Sequence, residues 1–144
     1  GAELKARAAE FGMGERLLLL GSVENVRAHL LAADLFVLPT SQENFGFVFP
    51  EALACKTPAL TTKGVDIWPE LESSGGAVIV QRDPSEIADR CSELLADPER
   101  RTQMGEAGRE WVFAYLDADR IVGQFEDLYR VTMGHEKRRG DGAT

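Results

Sequence analysis

Two carboxylates, Glu43 and Glu51, stand eight positions apart around the run Asn44-Phe45-Gly46-Phe47-Val48-Phe49-Pro50. An apolar stretch precedes them and ends at Pro39; Pro50 suits the first turn of a helix, where a missing N–H costs nothing. A strand that runs through a loop into a helix N-terminus is where open α/β sheets hold phosphates and sugars. An ionised carboxylate only accepts hydrogen bonds, and it can bridge two vicinal hydroxyls such as those of a ribose. Gly46 allows close backbone approach or a positive φ, which would present the amides of Phe45, Gly46, Phe47 and Val48 to sugar or phosphate oxygens. Each residue also has a plainer reading. Glu51 fits a helix first turn as a dipole partner worth ~0.3–1 kcal/mol with no ligand. Glu43 fits a solvated loop acid, and Phe45, Phe47 and Phe49 fit core or cleft wall.

The elements that must position these residues can be read from apolar periodicity. Residues 2–11 read as a helix, stopped by Gly12 and Gly14. Residues 16–20 read as a buried strand, and Ser22 as the cap of a helix carrying Val23, Val26, Leu30 and Leu31. A strand at 35–38 leads into the loop 40–45 and a helix from about 47 to 55. A strand at 59–61 follows, then a helix at 66–72 capped by Asp66, a Gly75-Gly76 turn and an end strand at 77–80. Asp83-Pro84 and Asp97-Pro98 each open a helix, and a third runs from Asp119 to about 133. Short apolar strands alternating with amphipathic helices specify an α/β, Rossmann-like parallel sheet with helices on both faces, finished by C-terminal helices.

With 144 residues the chain is one domain of common size, and a net charge of −8 argues against a nucleic-acid surface. The one basic cluster, Lys137-Arg138-Arg139, lies in a Gly-rich stretch, and residues 134–144 read as a disordered tail. Cys55 and Cys91 read as buried free thiols. His29 and His135 have no partners at metal-ligand spacing, so no metal site is expected. No apolar run approaches the ~20 residues that span a bilayer. With no signal peptide visible, a cytoplasmic setting is expected. Gly1 opens directly into helix-like sequence, so the chain is expected to be cut from something longer.

Ser41, Glu43, Phe45, Gly46, Glu51, Ala52, Ala54 and Pro58 together resemble, without gaps, the E-x7-E signature of the retaining GT-B glycosyltransferases, family GT4. Leu17 to Gly21 resembles the strand before that signature. Asp97-Pro98-Glu99-Arg100 and Met104-Gly105-Glu106-Ala107-Gly108-Arg109 resemble the family's C-terminal helices. The resemblance covers roughly residues 3 to 132 and implies part of the C-terminal, nucleotide-sugar-binding domain of a GT-B fold over residues 1–133. The N-terminal acceptor domain, and an upstream loop that supplies an Arg and a Lys to the diphosphate, would be missing. By resemblance Glu43 holds hydroxyls of the transferred sugar and is the catalytic position, while Glu51 holds the ribose. Asn44, Phe45, Gly46, Phe47 and Val48 complete the donor-binding set. The nucleotide-sugar is the substrate, and no metal or other cofactor is implied.

Two departures stand out. Lys56 replaces the usual Gly after the signature helix, where a positive φ is expected; a role on a phosphate is its less favoured alternative. The stretch from Thr62 to Glu70 replaces a Gly-Gly run that lines the donor side. Without its other domain the chain is expected to catalyse nothing by itself. The rival reading is a non-catalytic module that keeps the fold. The base, sugar, acceptor, membrane association and oligomeric state are not specified by the residues.

Overall fold

A computed structural model describes residues 1–133; the tail expected over 134–144, with its basic cluster and His135, lies outside the described residues. Among the described residues there are three strands, β1 (Phe36–Leu38), β2 (Ala59–Thr62) and β3 (Ala77–Val80), paired in parallel in that order. All four residues of β2 are buried, as a strand paired on both sides and covered on both faces requires. Phe36, Val37 and Leu38 lie opposite Ala59, Leu60 and Thr61, and the register continues onto Ala77, Val78, Ile79 and Val80.

The helices are α1 (Ala2–Glu10), α2 (Val26–Ala32), α3 (Val48–Ala54), α4 (Trp68–Ser73), α5 (Pro84–Ala96), α6 (Pro98–Tyr115) and α7 (Ala118–Thr132). Strand alternation splits the core into two layers. Phe36, Leu38, Ala59 and Ala77 pack with Phe49 and Leu53 of α3, Leu71 of α4 and Val112 of α6. Leu60, Val78 and Val80 pack on the other side with Ile87, Cys91 and Leu94 of α5, joined by Met104. Helices therefore cover both faces, as the alternation predicts.

Buried threonine hydroxyls stitch the sheet to the segments that flank it. Thr57 Oγ1 donates to the Leu30 carbonyl (2.6 Å) and Thr61 Oγ1 to that of Leu38 (2.8 Å), and Thr62 donates to Thr40. Among the described residues no buried side-chain polar atom lacks a partner, which is what a low-dielectric interior demands. The C-terminal helices open as Asp-Pro patterning predicts: Asp83 caps α5 by accepting from the amides of Ser85 and Glu86, and Asp97 caps α6 by accepting from Arg100.

Several expectations are corrected. Residues 17–20 form no strand, and Leu18 is 75 % exposed. A strand needs a neighbour for its backbone N–H and C=O groups, and no described segment pairs with this run. The sheet has three strands, not four. The cap of α2 is Asn25, which accepts from Ala28 N (3.0 Å), rather than Ser22. Asp66 does not cap α4, which starts two residues later without a side-chain cap. Its amide instead bonds the carbonyls of Glu43 and Asn44, tying it to the loop before. The third C-terminal helix is capped by Asp117. Cys55 and Cys91 are free but only half-buried, and burial pushes the Cys91 thiol up.

Lys56 adopts the positive φ (62°) expected of the glycine it replaces. Its ammonium meets Glu106 of α6 at 2.6 Å, so it faces a carboxylate rather than a phosphate site. Both side chains are about half exposed, so the pair adds little stability. Two glycines bring α6 against this corner. A Cβ on Gly105 would collide with the Lys56 carbonyl oxygen, and one on Gly108 would lie 2.8 Å from Leu53 Cδ2 and 3.1 Å from Gly76 Cα.

Gly105→Ala should therefore lower stability by about 1–3 kcal/mol, because the obstacle is backbone and cannot swing aside. Gly123→Ala in α7 meets nothing within 4 Å and should raise stability by up to about 1 kcal/mol through helix propensity. Denaturant midpoints of the two variants check both signs.

Candidate active site

The chain leaves β1 at Leu38 and enters the loop that carries Glu43. That loop is held by one further rung of sheet. Glu43 forms an isolated parallel bridge with Val65, in which Glu43 N donates to Gly64 O (2.8 Å) and Asp66 N donates to Glu43 O (3.0 Å). The rung fixes the backbone of Glu43 beyond the C-terminal ends of β1 and β2, and its side chain is half-buried. Glu43 Oε1 accepts from the amide of Asn44 at 3.1 Å.

Gly46 then turns the chain into α3. It is buried with φ 64°, and its carbonyl accepts from Phe49 N at 2.9 Å. A Cβ there would lie 2.8 Å from the Phe49 ring and 3.1 Å from Glu43 Cγ. Both the dihedral and the space call for glycine. Among the described residues, the amides of Phe45, Gly46, Phe47 and Val48 donate no hydrogen bond within the protein. Four consecutive free donors next to a carboxylate form a local anion- and hydroxyl-binding chemistry that net charge does not supply.

The three phenylalanines divide. Phe49 is fully buried and meets Phe36 edge-on at 5.7 Å, an ordinary core contact. Phe45 and Phe47 pair at 4.8 Å, and Phe47 is 70 % exposed. Glu51 lies in the first turn of α3 with its side chain exposed, so the dipole of α3 and an outside ligand are both within its reach.

Glu51 also lines a cleft of about 520 Å³ between α2, α3 and α6, with Arg27, Leu30, Cys55, Arg109 and Phe113. Arg109 stacks its guanidinium 4.9 Å over the Phe113 ring and donates to the Ala54 carbonyl. Glu43 is not among the residues of that cleft. The two acids thus flank the Gly46 turn, Glu43 on the bridged loop and Glu51 on α3 at the cleft. The arginines of the cleft escaped sequence reasoning because they come from two other helices and only the fold collects them. Among the described residues, no group of three His, Cys, Asp or Glu side chains is placed to hold a metal ion. No helix among them is long and apolar enough to cross a membrane.

The parallel sheet, its helical layers and the loop between β1 and α3 define an α/β domain of the GT-B glycosyltransferase kind. The model of the family described as glycosyl transferases group 1 matches residues 1–111, and the chain belongs to that family. It is 35 % identical over 125 residues to N-acetyl-alpha-D-glucosaminyl L-malate synthase of Bacillus anthracis, covering 85 % of this chain and 32 % of that protein. It is 31 % identical over 137 residues to the GDP-mannose-dependent alpha-(1-6)-phosphatidylinositol monomannoside mannosyltransferase of Mycobacterium tuberculosis, covering 88 % of this chain and 36 % of that one. Among solved structures, sucrose-phosphate synthase from Thermosynechococcus elongatus matches with a TM-score of 0.78 and 28 % identity, over 94 % of this chain and 35 % of that one. The chain spans about a third of the length of these relatives.

Gly46→Ala should lower stability by about 2–4 kcal/mol, the sum of a left-handed backbone and a side chain forced against Phe49. Chemical denaturation measures it; a loss below about 1 kcal/mol would mean the turn can relax away from its positive φ.

Proposed function

We propose that residues 1–133 are the nucleotide-sugar-binding portion of a retaining glycosyltransferase, in a longer protein whose other domain binds the acceptor. What carries the reading is one arrangement: Glu43 and Glu51 on either side of the Gly46 turn, with four free amides between them, in a chain of this family. A relative named as a GDP-mannose-dependent mannosyltransferase supports the substrate class.

In this reading Glu51, in the first turn of α3, accepts hydrogen bonds from the two ribose hydroxyls. Glu43 orients the transferred sugar through its hydroxyls and is the catalytic position. Asn44 and the amides of Phe45, Gly46, Phe47 and Val48 surround the sugar and phosphate oxygens. Such donors stabilise negative charge that grows on the leaving diphosphate as the glycosidic bond to it breaks. The nucleotide-sugar is substrate, and the reading calls on no metal or other cofactor. Glu43 and Glu51 are not a glycosidase pair, which needs an acid and a base across one bond. The reducing setting we propose is the cytoplasm, in keeping with two free thiols.

Ligand-observed NMR with UDP-, GDP- and ADP-sugars tests the donor site. One of the three should bind, and Glu51→Ala should weaken it at least about tenfold, the loss of charge-assisted hydrogen bonds to hydroxyls. Equal binding by wild type and Glu51→Ala would remove Glu51 from the site. A direct assay of sugar transfer by residues 1–144 should give no turnover; measurable transfer would show that the acceptor domain is dispensable.

A further inference from the structure

A second concavity, of about 290 Å³, sits at the C-terminal ends of all three strands and shares no residue with the Glu51 cleft. Its lining includes the hydroxyl residues Thr40, Ser41 and Thr62 and two cations, Lys63 and Arg82. No carboxylate lines it. Among the described residues neither Lys63 nor Arg82 forms an ion pair, although acids outnumber bases in the chain by 24 to 16.

The surrounding geometry keeps those charges uncompensated. Lys63 Nζ rests 4.6 Å over the Trp68 ring, a contact that orients an ammonium without neutralising it. Of the acids that follow Arg82, Asp83 accepts from the amides of Ser85 and Glu86, while Glu86 accepts from the amide of Gln81, at the edge of the pocket, at 3.2 Å. Gly64 forms the close floor, since a Cβ there would collide with the Thr40 carbonyl oxygen. The Gly64 carbonyl in turn holds the amide of Glu43, and Thr40 and Ser41 stand on the same loop, so this pocket and the candidate site share that loop.

Parallel α/β sheets take ligands beyond the carboxyl ends of their strands, and this pocket occupies that place on β1, β2 and β3. A phosphoryl group matches its chemistry: several acceptor oxygens, a charge of two units, and a size below the available volume. We propose that Lys63 and Arg82, with the hydroxyl of Ser41, form a binding site for a phosphoryl group. The donor reading gives Lys63 and Arg82 no role, although Ser41 belongs to the signature and Lys63 to the stretch that replaces the donor-side Gly-Gly run. The phosphoryl group belongs either to the nucleotide diphosphate or to a second, phosphorylated compound.

Amide-resolved NMR of the full chain, titrated with inorganic phosphate and separately with UDP and GDP at constant ionic strength, tests this. The expected result is saturable shifts centred on Gly64, Gln81 and Arg82. They should weaken at least about tenfold in Lys63→Gln and in Arg82→Gln and stay unchanged in Arg100→Gln, an exposed cation elsewhere. Phosphate displaced by the nucleotide assigns the site to the diphosphate; phosphate bound beside saturating nucleotide assigns it to a second compound. Absence of saturable shifts at these amides, or shifts equal in wild type and both variants, overturns the proposal. Nucleotide binding that is lost in Glu51→Ala but indifferent to Lys63→Gln and Arg82→Gln excludes the diphosphate as occupant; together with no saturable shifts from inorganic phosphate it overturns the proposal and leaves the donor reading standing.

Discussion

Everything in the domain hangs on β2 being buried on all sides. Its residues give their backbone groups to β1 and β3, and Ala59 and Leu60 send their side chains into two separate apolar layers. Polar atoms in such a strand must be satisfied internally, and the two threonine hydroxyls do so by reaching across to the chain that leaves Leu38 and Thr40. The strand therefore does more than fill the core. It fixes where β1 ends, and with it the start of the loop that carries Ser41 and Glu43. The extra rung between Glu43 and Val65 continues the same ladder into the candidate site.

The candidate site thus owes its shape to three constraints of different physical kinds. Hydrogen bonding places Glu43, through Gly64 and Asp66. Backbone handedness places the four free amides, through the positive φ of Gly46. Close packing places α3, because Gly105 and Gly108 allow α6 to lie directly against its C-terminal corner. A carboxylate alone in a loop would be an ordinary surface acid. Its interest comes from the donors and the helix start that the other two constraints put beside it.

Much of this was legible in the residues. Asp83-Pro84 and Asp97-Pro98 announced helix starts because capping is local chemistry, written within four residues. The positive φ after α3 was legible too, even through Lys56, because the resemblance puts a glycine cap at that position. The Leu17–Leu20 run misled, since an apolar stretch has strand character only when another strand accepts its hydrogen bonds, and pairing is not local. Asp66 misled for a similar reason: a good cap residue was drawn by its amide to Glu43 and Asn44 instead. The arginines near Glu51, and the cations beyond the sheet, gather only through tertiary structure, so nothing in their spacing could reveal them.

The distribution of burial also sets how the chain comes apart. Neither α1 nor α7 contributes a single buried residue, while α3 alone contributes Phe49, Pro50, Ala52 and Leu53. Local opening costs little where few apolar contacts are broken, and approaches the global unfolding free energy where many are. The two end helices consequently breathe on their own, and their amide protons trade with solvent long before those of β2.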